Sequence, residues 1–142
     1  ADSQNILAAA RLASQYQKAR HKDATALPAQ KVLEMITVDA AAMLRINAGS
    51  LEVGRAADMV LIDLRRPNMV PTRKDNVVEN LIWASDGSEA RWVVAAGKVL
   101  KDDYRLTTID QDSVCERIQL LSEDLQTYRA KVEPLKGTGA NQ

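Results

Sequence analysis

Gly49–Leu64 reads GSLEVGRAADMVLIDL, and the order of its parts decides the fold. Gly49 and Gly54 permit backbone angles that other residues avoid. A polar connection follows them. Then comes Met59-Val60-Leu61-Ile62, an apolar run of strand length bracketed by Asp58 and Asp63. Such a run predicts a strand covered on both faces, although a buried helix segment has no different periodicity. A turn, a loop and a buried strand in that order need other elements to bury against.

Upstream, the pattern is helical. Asp2 or Ser3 is placed to cap a helix from about Gln4 to Arg20, with Ile6, Ala10, Ala13 and Tyr16 at helical spacing. HKDATAL is a polar connection. Pro28 suits the first turn of a second helix, with Val32, Met35 and Ile36 on one face. Asp39 is placed to cap a short third helix, AAAML, which Asn47 and Gly49 stop. Downstream, the two prolines of LRRPNMVP predict an extended excursion. Asn76 caps a short helix holding Val77, Val78, Leu81 and Ile82, and SDGS is a turn. ARWVVAAGKVLKDD reads as two strands about a tight turn at Ala96-Gly97, where Ala96 is a poor choice for a two-residue turn. From Asp110 a last helix carries Val114, Ile118, Leu121, Leu125, Tyr128 and Val132 on one stripe. A stripe this regular is expected to be core. Pro134 is expected to end that helix, leaving a disordered tail.

Three strand candidates do not make a self-sufficient sheet with both faces covered, and an open sheet leaves edges that want partners. The missing strands are expected from elsewhere. A start at Ala1 rather than Met fits a processed or truncated product, or removal of an initiator Met.

The composition narrows the function classes. The 142 residues suffice for one domain of ordinary size. Aromatics make up 4% with no Phe, so the core must be aliphatic. Lys plus Arg equals Asp plus Glu at 19 each, which gives no electrostatic reason to expect nucleic acid or an acidic membrane as partner. No apolar run approaches the ~20 residues of a membrane span, and no basic start with an apolar signal core is seen. A lone Cys115 excludes an internal disulfide framework and fits a cytoplasmic protein.

Few residues offer chemistry. His21 is the single histidine and lies in KARHKD at a helix end, where it meets the helix dipole. Cys115 sits one residue off the last apolar stripe and reads as a buried or half-buried structural thiol. With one His and one Cys, the chain cannot build a His-rich catalytic metal site alone. It holds no G-x-S-x-G elbow and no phosphate-binding glycine loop. Trp83 and Trp92 read as core or rim packing, not as a stacking platform for bases. Asp58 is expected to accept backbone hydrogen bonds in its own turn, and Asp2 to cap the first helix.

GSLEVGRAADMVLIDL resembles the segment G-S-[LI]-E-x-G-[KR]-x-A-D-[LMV]-[VIL]-[VLI]-x-D of the amidohydrolase superfamily. There it leads out of the metal-binding barrel into the first returning strand of a small β-sandwich. TALPAQKVLEMITVDAAAMLRI, RRPNMVPT and VVENLIWASDGSEARWVVAAGKVLKDD are similar to further family segments, in the same order. The nearest branch holds triazine hydrolases, S-adenosylhomocysteine deaminases and guanine deaminases. DSQNILAAARLASQYQKARHKD resembles its helix after the eighth barrel strand, with Asp2, Asn5, Arg11, Leu12 and Ala13 in place. Ala9 departs from that pattern, where the branch carries an acidic residue. Ala96 stands where family hairpins often have Asp, so the turn there is expected to be strained or longer.

The resemblance implies an α+β fragment: the last helices of a metal-dependent hydrolase TIM barrel, part of a composite β-sandwich, and a C-terminal helix. Residues 1–47 would be barrel helices, 48–107 part of the sandwich with a short helix, 108–135 a packing helix and 136–142 a disordered tail. The full-length parent would use a divalent metal, zinc or iron, to activate water against a ring C–N or C–Cl bond. The family's metal-binding aspartate would precede Ala1, and its histidines would lie further upstream. Asp2 as a metal ligand is the lesser alternative. No catalytic or metal residue is then expected in this chain, which would be inactive and bind no metal alone. Its task would be to hold the eighth strand and its loop, and to line the pocket near Asp2 to Asn5. Partners would be the N-terminal part of the barrel and, through the last stripe, a homo-oligomer. Two alternatives stand beside this reading. One is a stand-alone interaction or oligomerisation module without activity. The other is a dihydropyrimidinase-like or imidazolonepropionase-like branch.

Overall fold

The computed structural model describes the backbone of residues 4–136 and the side chains of residues 4–130. The chain forms two compact units, Ala1–Arg105 and Leu106–Gln142. In the first, three helices precede a sheet: α1 (Ile6–His21), α2 (Ala29–Met35) and α3 (Val38–Leu44). A fourth, α4 (Val77–Trp83), lies between the strands β1 (Met59–Ile62) and β2 (Ala90–Ala95). β3 (Lys98–Asp102) and β4 (Arg105–Leu106) complete a four-stranded meander ordered β1-β2-β3-β4. The second unit is built around one helix, α5 (Gln111–Lys136).

The core lies among the helices. α2 packs on α1, α3 and α4, and Ala10, Ala29, Val32 and Ile82 are buried at the centre. Leu7, Leu27, Leu33, Ile36, Val78 and Trp83 surround them. Of the apolar residues expected on one face of α1, Ala10 is buried in the core, whereas Ile6, Ala13 and Tyr16 are exposed and the polar Ser14 is buried in their place. Ser14 escapes a desolvation penalty because its hydroxyl donates to the Leu27 carbonyl at 2.6 Å.

The caps also differ from expectation. α1 begins at Asn5, whose Oδ1 accepts from the Ala8 amide at 3.1 Å; Asp2 and Ser3 lie outside the described residues. α3 starts after Thr37, with Asp39 inside its first turn and bonded to Lys31 at 2.9 Å. It ends at Arg45 in the left-handed conformation, ahead of Asn47 and Gly49. Asn47 instead ties the following loop, donating to the Gly54 carbonyl at 2.7 Å and accepting from the Ala56 amide at 2.8 Å. Gly49 has φ +93°, and a Cβ there would fall 2.8 Å from Ala41 Cβ and 2.9 Å from the Thr37 carbonyl oxygen. The loop can therefore close on α3 only with glycine at this position.

β1 is a strand, as the apolar run predicts, but it is not covered on both faces. Val60 and Leu61 point to opposite faces and are both exposed, so neither face of β1 is covered there, and among the described residues β1 is an edge strand paired with β2 alone. A bulge between Leu61 and Ile62 leaves Arg91 as the extra residue on β2. β4 was not foreseen. Its turn, Asp103-Tyr104, has φ of 42° and 72° without any glycine to announce it. The Ala96-Gly97 turn has two residues, with φ 48° and 75°, so it is strained at Ala96 and not lengthened.

α5 continues through Pro134 to Lys136. A proline removes one helical N–H and crowds the preceding turn, which bends a helix without having to end it. Residues 137–142 of the expected tail lie outside the described residues. The stripe of α5 is exposed rather than core, from Val114 to Tyr128. No helix among the described residues is long and apolar enough to cross a membrane.

Candidate functional site

The polar groups of the first unit converge where α1 meets the end of α4. Helical spacing puts Arg11, Ser14 and Lys18 on one face of α1. Arg11 Nε donates to the Ile82 carbonyl at 2.8 Å, and its Nη2 donates to the Ser85 carbonyl. Helices leave their last carbonyls without partners, and a cation there also meets the negative end of the dipole. Arg11 thus satisfies the C-terminus of α4. Asn5 Nδ2 donates to the Asp86 carbonyl at 2.8 Å, just beyond. The Lys18 ammonium lies 4.4 Å from the Trp83 ring centre, on the last residue of α4.

Under this junction sits Glu89, which is fully buried. Ser85 Oγ donates to it at 2.7 Å, and the Gly87 amide at 3.0 Å. Asn68 Nδ2 donates to its other oxygen while also reaching the Ala84 carbonyl at 3.1 Å. Burial pushes the Glu89 carboxyl up, but these bonds outweigh it and hold the carboxyl below its ordinary range. The Glu89 carbonyl accepts from the Asp63 amide at 2.9 Å, linking the cluster to the end of β1. One buried carboxylate therefore fastens the excursion at Asn68, the turn Ser85–Gly87 and the entry to β2.

A second set decorates the sheet. Asp63 accepts from Arg65 Nε at 3.1 Å, the Arg65 amide at 3.0 Å and the Tyr104 hydroxyl at 2.8 Å. Those bonds, Arg65 first, hold its carboxyl well below the usual carboxylate range. The Tyr104 hydroxyl is correspondingly raised by Asp63. The Arg91 guanidinium lies 4.1 Å from the Trp92 ring centre and 2.5 Å from Asp103 Oδ1. Leu61, Ile62, Asp63, Arg91 and Trp92 line a shallow depression between these groups. Every polar group here has a partner within the fold, so the arrangement orders the sheet.

The sequence-derived candidates take structural places. His21 is exposed at the end of α1, in a last turn that also holds Lys18 and Arg20. Cys115 is exposed, not half-buried, since the helix face around it is uncovered. Trp83 packs at the core margin, and Trp92 donates through Nε1 to Asp102 at 2.7 Å. Asp58 accepts a backbone hydrogen bond, but in the neighbouring hairpin: the Ala96 amide donates to it at 2.6 Å. Among the described residues no group of three or more His, Cys, Asp or Glu converges as a metal site. The donor set of a catalytic metal therefore does not fit these residues. Glu89 was missed. Its signal was an acid placed directly between the SDGS turn and an apolar strand, where a carboxylate can gather turn amides.

Comparison with known proteins places this junction in context. The amidohydrolase family profile matches residues 1–100. The chain is 39% identical over 101 residues to a 5'-deoxyadenosine deaminase of Methanosarcina acetivorans, covering 71% of this chain and 23% of that protein. It is 43% identical over 97 residues to a 5-methylthioadenosine/S-adenosylhomocysteine deaminase of Desulfovibrio desulfuricans, covering 68% of this chain and 22% of that one. Among solved structures, a zinc-bound adenosine deaminase from Xanthomonas campestris superposes with a TM-score of 0.77 at 29% identity, covering 86% of this chain and 28% of that chain. A zinc complex of atrazine chlorohydrolase from Arthrobacter aurescens TC1 gives 0.72 at 28% identity, covering 84% and 27%. The chain thus spans about a quarter of the length of these relatives.

Proposed function

The chain belongs to the amidohydrolase family, and from that premise we propose that it is the C-terminal part of a hydrolytic deaminase or chlorohydrolase. The parent would add water to a heterocyclic ring carbon and expel the amino group as ammonia, or a chlorine as chloride. The relatives named above are deaminases of adenine nucleosides and a triazine chlorohydrolase, which supports a ring C–N or C–Cl bond as the target. The divalent metal of such a parent, zinc in the solved relatives, would be held by residues outside the described part of this chain.

In this reading α1 to α3 are the last helices of the barrel, and the sheet is part of a composite sandwich. The observation that carries it is the Arg11 clamp. The helix that resembles the one following the eighth barrel strand is bonded by its own arginine to Ile82 and Ser85, at the threshold of the sheet. Hydrogen bonds to a charged group contribute about 1.5–3 kcal/mol each. They would fix the end of the barrel against the sandwich and so steady the loop that enters α1 at Asn5. The residues of this chain position that loop and carry out no chemical step themselves.

The test uses the full-length gene product. It should release ammonia from 5'-deoxyadenosine or 5'-methylthioadenosine, or chloride from a chlorotriazine, and lose that activity on chelation of its metal. A metal-loaded, folded full-length protein that turns over neither class would overturn the proposal.

A further inference from the structure

We propose that Asn5 is a positioning residue for the reaction of the full-length parent: its side-chain amide ties the loop entering α1 to the turn Ser85–Gly87. Asn5 uses both ends of that amide. Oδ1 caps α1 by accepting from the Ala8 amide at 3.1 Å, and Nδ2 donates to the Asp86 carbonyl at 2.8 Å, 81 residues away along the chain. Capping alone needs one acceptor oxygen, which serine supplies as well as asparagine. The N–H donor beyond it is what asparagine adds.

The carbonyl that Asn5 reaches is a fixed point. Before Asp86, the Ser85 carbonyl accepts from Arg11 and the Ser85 hydroxyl donates to the buried Glu89. After it, the Gly87 amide donates to Glu89 at 3.0 Å and the Ser88 amide to the Asp86 carboxylate at 2.8 Å. The turn is thus held on both sides of the peptide that Asn5 grips. The inference rests on the proposed function, in which α1 follows the last strand of a barrel. In such barrels the loops that lead from strands into helices form the catalytic face. Asn5 then stands where one of those loops ends. Arg11, further along α1, fixes the helix; Asn5 fixes the point at which the loop joins it. A misplacement of about 1 Å in an active site can lower the rate on the order of a hundredfold, so a tie at this point acts on turnover and not on folding alone.

The experiment compares Asn5→Ser, Asn5→Ala and Ser14→Ala in the metal-loaded full-length protein, on whichever proposed substrate the wild type turns over, with amide hydrogen exchange as a second readout. Asn5→Ser keeps a cap and loses the amide. Its thermal midpoint should stay near that of wild type, while kcat falls at least about tenfold and KM moves by less than about twofold. Exchange should quicken in the loop that precedes residue 5. Asn5→Ala loses the cap as well, so it should show the same kcat loss with a lower midpoint. Ser14→Ala removes a buried hydroxyl from the same helix without touching the turn; it should lower the midpoint and leave kcat unchanged. An Asn5→Ser protein with wild-type kcat would overturn the inference and leave the proposed function standing. So would a Ser14→Ala protein with the same kcat loss, because any weakening of α1 would then suffice. Unchanged exchange in Asn5→Ser would overturn the tie itself, whatever the activity. A wild type that turns over neither substrate class would overturn the proposed function and this inference with it.

Discussion

Glu89 shows how a single buried residue can hold three segments. Its carboxylate accepts from Ser85, Asn68 and the Gly87 amide, and no solvent reaches it. Glu89→Gln keeps the shape but turns an amide donor toward groups that are already donors. The Ser85 hydroxyl can rotate to accept, whereas the Gly87 amide cannot. A loss of about 1–3 kcal/mol at neutral pH is expected from an unsatisfied buried group. The wild-type carboxyl sits below its ordinary value of 4.5, so the folded state binds its proton more weakly than the unfolded state. Its contribution is therefore complete above that value and is lost as pH falls through the lower folded value. Asp63, also depressed, adds to the acid limb in both proteins. Urea midpoints measured from pH 7 down to pH 3 should thus converge for wild type and Glu89→Gln. A gap that stays constant with pH would show that the anion is not what stabilises the junction.

At the scale of elements, the β2–β3 hairpin carries a cost that its neighbour offsets. Ala96 sits at φ 48°, where a Cβ is disfavoured by roughly 1–2 kcal/mol. The Asp58 carboxylate accepts from the Ala96 amide at 2.6 Å, and the Ala57 carbonyl from the Gly97 amide at 3.1 Å, so both turn amides are held by the two residues that lead into β1. Ala96→Asn keeps those acceptors and adds a residue that tolerates this conformation. A rise in stability of up to about 1 kcal/mol is expected by thermal unfolding; an unchanged or lower midpoint would mean the bonds to Asp58 and Ala57 already remove the strain. The sequence made this turn legible because Gly97 marks it. The Asp103-Tyr104 turn carries no such mark, and β4 went unseen with it. The strand at Met59–Ile62 was legible from its unbroken apolar run, but its exposure was not, since burial depends on neighbours and not on the strand. α1 shows the same limit. Its inward face is marked by buried Ser14 and half-buried Arg11, both bonded to carbonyls, and hydrophobic periodicity does not register such contacts.

At the scale of the whole molecule, the first unit leaves a large apolar surface uncovered. Met43, Leu44, Leu51 and Val53 on α3 and the following loop are strongly exposed, and β1 offers an unpaired edge. Patches and edges of this kind mark surfaces that other chain segments cover. The lack of a metal donor set among the described residues and the uncovered surface have the same explanation under the proposed function: both would be completed by the remainder of the parent. On that reading the site of chemistry was not legible here because about three quarters of the relatives' length has no counterpart in this chain. Met43 and Met69 make the explanation testable. Met43 is 79% exposed and Met69 fully buried, and thioether oxidation by peroxide follows access. In the isolated chain Met43 should oxidise fast and Met69 slowly, read peptide by peptide in a mass spectrometer. In the full-length protein Met43 should slow several-fold toward Met69, because the barrel would lie over α3, while Met69 should not change. Equal Met43 rates in the two proteins would show that this face stays open to solvent. The uncovered surface of α3 would then need a different partner from the parent's own barrel.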